Sequence, residues 1–79
     1  MALRDLKISH YKDEIDKVEY RFGETDIGEK HTKVWARKLN SNDKWASLTV
    51  LPKPASRIKS EIKYRTKSYD ILKKYLEEY

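Results

Sequence analysis

A chain of 79 residues without cysteine has room for one thin core, and it excludes disulfide staples, thiolate metal sites and thiol nucleophiles. Charged residues make up 39% of the chain, so its surface must be ionic, while two Trp, six Tyr and one Phe favour a packed domain over a disordered segment. The net charge of +5 hides a division: residues 1–29 carry five basic and eight acidic side chains, residues 30–67 eleven basic and two acidic.

The first element in chain order is a weak strand, Leu6 to Tyr11, with Leu6, Ile8 and His10 on one side. A clearer strand runs from about Asp16 to Phe22, where Val18, Tyr20 and Phe22 alternate with Lys17, Glu19 and Arg21 at the period of a half-buried strand. Gly23-Glu-Thr-Asp-Ile-Gly28 then reads as a polar loop. The runs Thr32–Leu39 and Lys44–Leu51 flank Asn40-Ser41-Asn42-Asp43, four turn formers, and predict a β-hairpin. Setting Leu39 opposite Lys44, Arg37 opposite Ala46 and Trp35 opposite Leu48 puts Trp35, Leu39, Ala46, Leu48 and Val50 on the core side. Thr32, Val34, Ala36, Lys38, Trp45, Ser47 and Thr49 then face outward. A slip of one residue would exchange the two faces.

Pro52 and Pro54 end the hairpin, because proline cannot donate to a central ladder. Ser56 to Tyr79 contains no Gly, Pro or Asn and reads as one long helix. Ile58, Ile62, Tyr69, Leu72, Leu76 and Tyr79 recur at steps of four and three, with Tyr64, Ile71 and Tyr75 widening the stripe. The competing reading is a strand over 57–65 followed by a short helix capped by Ser68. The predicted core is Leu6, Ile8, Ile15, Val18, Tyr20, Phe22, Val34, Trp35, Leu48, Val50, Ile58, Ile62, Leu72 and Leu76. The expected fold is a single α+β domain over residues 1–79, a small antiparallel sheet of three to four strands, with the hairpin 32–51 at its centre, packed against a C-terminal helix.

Asymmetric charge of this kind points to a polyanionic partner. Lys and Arg neutralise phosphates, and an exposed Trp offers a face for stacking a base. The predicted nucleic-acid contacts are Lys33, Arg37, Lys38, Lys44, Trp45, Lys59, Lys63 and Lys67. Trp45 is the stacking candidate, Trp35 belongs to the core, and the hairpin is the element expected to enter a major groove. The other reading is a small protein-interaction module, an inhibitor or assembly factor of a virus or mobile element. It would dock its basic face on an acidic protein or self-associate through the C-terminal helix.

The remaining constellations are poor. Gly23 to Thr32 imitates a phosphate-binding loop, but Glu29 intervenes before Lys30, and His31 stands where Ser or Thr is required. Asp13, Glu14, Asp16 and Glu19 lack the glycine and spacing of a calcium loop, and His10 and His31 lack matched metal ligands. Asp43 with Glu61 and Lys63 would imitate a nuclease only if 57–65 were a strand. The expectation is a non-catalytic protein without cofactor or metal, a monomer or homodimer. The longest mostly apolar run, Trp45 to Leu51, is far short of a membrane span, and Met-Ala-Leu-Arg-Asp lacks the apolar segment of a signal peptide, so a cytoplasmic location is expected.

Overall fold

The computed structural model describes residues 7–25 and 31–78. Four strands, β1 (Lys7–Asp13), β2 (Val18–Thr25), β3 (His31–Lys38) and β4 (Ala46–Leu51), form an antiparallel meander in the spatial order β1-β2-β3-β4. Two helices follow, α1 (Ala55–Lys63) and α2 (Lys67–Glu77). The expected α+β class is what forms, with the predicted hairpin supplying β3 and β4 at one edge of a four-stranded sheet. Gly23, Glu24 and Thr25, predicted as loop, extend β2, and the rest of that loop lies outside the described residues, as do Leu6, Lys30 and Tyr79.

The period-2 pattern of β2 decides which side of the sheet is buried. Tyr20 and Phe22 are fully buried and pair in register with Ala36 and Val34 of β3, which are equally inaccessible. The helices add Ile58 and Ile62 from α1 and Tyr69 and Leu72 from α2 to the same cluster. Helix α1 lies against β1 and β2, and α2 against β4. One face of the sheet is thereby covered, and no described helix packs on the other.

The hairpin corrects the face assigned to β3. At its open end the expected register holds, with Val34 opposite Thr49 and Lys33 opposite Val50. Between Val34 and Trp35 the register shifts, so Trp35 pairs with Ser47 and Ala36 with Ala46. The extra residue, Leu48, turns into the core beside Leu51. An alternation counted through this bulge links Leu48 to Trp35 and Val50, which in fact share the opposite face. Val34, Ala36 and Thr32 are buried, whereas Trp35 is only half-buried and Val50 is 52% exposed. Ile8 and Ile15 also leave the predicted core, at 53% and 76% exposure. Ile8 lies on the uncovered face, and Ile15 lies in the turn between β1 and β2.

The single long helix is also corrected, and 57–65 is not a strand. The chain leaves α1 at Tyr64, and Arg65 takes a left-handed φ of 56°. The Thr66 N–H then donates to the Glu61 carbonyl and the Arg65 N–H to the Ile62 carbonyl. This is the Schellman arrangement, with arginine where glycine is usual. An unbroken helix over 56–79 would measure about 36 Å, against strands of about 20–27 Å. Breaking it brings both halves of the apolar stripe onto one short sheet. Glu61 completes the turn. Its carboxylate accepts from the Ser68 N–H and hydroxyl and from Lys53 and Arg57 at 2.8 and 2.9 Å, so one helix caps the next. Those bonds, with the Lys53 ammonium first, hold its carboxyl far below the usual carboxylate range.

Candidate nucleic-acid interface on the uncovered sheet face

The register defines what the uncovered face carries. From β1 come Ile8, His10 and Lys12, paired with Gly23, Arg21 and Glu19 of β2. Arg21 and Glu19 pair in turn with Trp35 and Arg37 of β3, and Lys33 pairs with Val50 of β4. Trp45, in the connection just before β4, closes the group.

These side chains form a ladder of cations and rings. The Arg21 guanidinium lies 4.4 Å from the Trp35 ring centroid and 5.0 Å from that of Trp45. Arg37 lies 4.3 Å from Trp45, and the Lys33 ammonium 5.1 Å from Trp35. The His10 ring is tilted against Trp45 at 5.8 Å. Each contact is a cation or ring edge meeting an indole quadrupole, worth on the order of 0.5–2 kcal/mol depending on desolvation. The six-membered edge of Trp35 passes over Gly23, where an added Cβ would meet ring carbons at 3.1 and 3.2 Å. Glycine is there because the indole needs that space.

The two arginines have different tasks. Arg37 is anchored: its Nε donates to Glu19 at 3.2 Å and its Nη1 to the Asp43 carbonyl at 3.4 Å. It pins the connection that carries Trp45 to the sheet. Arg21 is not anchored. Its Nε is buried without a hydrogen-bond acceptor, and no described carboxylate pairs with it. Among the described residues, two indoles are the groups that hold this half-buried guanidinium.

The predicted contact residues are divided by the sheet. Lys33, Arg37 and Trp45 come together on the uncovered face. Lys38, the last residue of β3, and Lys44, in the connection to β4, are exposed at one end of the sheet. Lys59 and Lys63 on α1 and Lys67 at the start of α2 belong to the helix layer on the opposite side. Lys59 packs over the edge of the core, 5.8 Å from the Phe22 ring. The basic segment therefore does not present one continuous surface.

Part of that segment is neutralised from within. Arg65 makes a bidentate pair with Asp13 at 2.8 and 2.9 Å and approaches Asp16 at 3.9 Å, so two acidic residues of the N-terminal third hold the turn between helices. Burial pushes the Asp13 carboxyl up, but the Arg65 bonds and the Asp16 and Ile15 N–H groups outweigh it and hold it below its ordinary value. The Tyr69 hydroxyl donates to Asp16, and that bond, with burial, pushes the phenol up to about 12. Arg37 pairs with Glu19, and Lys53 and Arg57 with Glu61. Asp43 and Glu61 do not converge, because Glu61 is committed to the helix junction. Among the described residues no three His, Cys, Asp or Glu side chains are grouped to hold a metal.

Sequence reasoning missed Arg21, Trp35 and Gly23 as members of this face. The alternation of β2 carried the signal for Arg21 and Gly23, which stand opposite in phase to Tyr20 and Phe22. Trp35 was lost through the bulge. No described helix is long and apolar enough to cross a membrane. Comparison with known protein families, curated proteins and solved structures gave no match.

Proposed function

We propose that this protein is a non-catalytic, cytoplasmic nucleic-acid-binding domain whose working surface is the uncovered sheet face. Arg21 is the observation that carries the reading. Its half-buried guanidinium lies against two indoles with no described carboxylate as partner, and a phosphate oxygen is a strong acceptor for a guanidinium. Lys12 and Lys33 share the face, Lys38 and Lys44 extend its positive rim, and Glu19, the acidic residue among the described strand positions of that face, is already matched by Arg37. Trp35 and Trp45 supply rings among these cations.

Filter binding to DNA and RNA at two salt concentrations tests the reading. Affinity should fall as salt rises, with a log–log slope of roughly 2–4 for a face engaging three to five phosphates. No retention of any nucleic acid at low salt would end it and leave an acidic protein as the partner for the same cations. Self-association through the C-terminal helices has less to work with, because Ile58, Ile62, Tyr69 and Leu72 are consumed by the core.

A further inference from the structure

We infer that the uncovered face takes single-stranded nucleic acid in preference to a duplex, with unpaired bases on its rings and aliphatic side chains and phosphates on its cations. The inference rests on the nucleic-acid reading above and narrows it to one class of strand.

Shape disfavours the duplex. A two-stranded ribbon enters the major groove because it is narrow enough for a channel about 12 Å wide. Here β3 is an interior strand, paired with both β2 and β4, and the whole sheet is backed by helices. Four strands span about 14 Å between the outer backbones before side chains are added. Placed face-on, the sheet is too broad for that groove, and the hairpin is no free ribbon.

Surface chemistry points the same way. A duplex approached from outside its grooves presents phosphates and sugars, while its bases stay stacked on one another. Such a surface matches cations and gives nothing to apolar groups. This face has both. Ile8 and Val50, at 53% and 52% exposure, share this face with the two half-buried indoles. Ile8 pairs with Gly23, over which Trp35 lies, and Val50 pairs with Lys33, whose ammonium lies over Trp35. Apolar surface, rings and guanidinium planes are thus mixed on one sheet face. Unstacked bases, which offer π-faces of any sequence next to a phosphate backbone, satisfy all three.

Fluorescence anisotropy with the full chain tests this, using labelled single-stranded DNA and RNA oligomers and a blunt duplex of equal length at two salt concentrations. The single strands should bind at least tenfold more tightly than the duplex. Trp45→Ala should weaken single-strand binding about tenfold or more while leaving the salt slope unchanged, as expected for loss of a stacked base. Arg21→Ala should lower the slope by about 0.7, one phosphate on a single strand. If Trp45→Ala unfolds the connection, Ile8→Ser with Val50→Ser reads the same property from two exposed side chains, and should weaken single-strand binding alone. Duplex binding equal to or tighter than single-strand binding, or apolar variants without effect, would overturn the inference and leave the broader reading intact. Absence of binding to every oligomer would overturn both.

Discussion

Arg21 and Gly23 are consecutive outward-facing positions of β2, and together they set the state of Trp35. The first stacks on the indole and the second makes room for it. Arg21→Ala removes two cation–π contacts but also an orphaned donor, two terms of similar size and opposite sign. Stability should therefore change by less than about 1 kcal/mol in a denaturant titration, while nucleic-acid affinity falls. Gly23→Ala should cost about 1 kcal/mol, because the indole must give way by a few tenths of an ångström within a packed ladder. The shift should appear in tryptophan fluorescence. At this scale the sequence was informative wherever alternation was regular: Tyr20 and Phe22 point inward as their spacing predicts, and Arg21 points outward with them. It was uninformative where one extra residue intrudes, since the Leu48 bulge is encoded by a packing choice and not by a turn-forming residue.

Strands β1 to β4 were visible as apolar alternations separated by turn formers, and Asn40 does supply a positive φ after β3. The break between α1 and α2 was not visible. It contains neither glycine nor proline, and its determinants are long-range: Asp13 from the β1–β2 corner and Lys53 from the segment before α1. Asp13→Asn leaves Arg65 without its bidentate partner and should destabilise by roughly 3 kcal/mol. Thermal unfolding should then occur on the order of 10 °C lower. Glu61→Gln should act similarly through the junction of the helices. Both carboxyls sit below their ordinary values of 3.8 and 4.5 in the folded chain. Their contribution is therefore fully present above those values and is lost as pH falls through the lower folded ones. Melting temperature should drop as pH is taken from about 5 to about 2, with a shallower drop in either variant. An equally steep drop in both would show that other carboxylates dominate.

Among the described residues, three sets of cations differ in their setting. Arg37, Lys53, Arg57 and Arg65 are committed to carboxylates and hold the fold together. Arg21, Lys12 and Lys33 lie on the uncovered face, and Lys59, Lys63 and Lys67 lie in the helix layer behind it. The segment charge alone could not separate these sets, because burial and ion pairing are decided by which strands become neighbours. Charge reversal at Lys59 and Lys63 should therefore reduce affinity only through the general field, by a few-fold at low salt and less at high salt. The same reversal at Lys33 should cost more under both conditions. The most direct measurement is a nitrogen–proton correlation spectrum of the labelled protein titrated with a short single-stranded oligomer. The indole N–H signals of Trp35 and Trp45 and the Nε–H of Arg21 should move together, while amides of α1 stay in place. Shifts confined to residues around Lys59, Lys63 and Lys67, with both indoles unmoved, would contradict this interface.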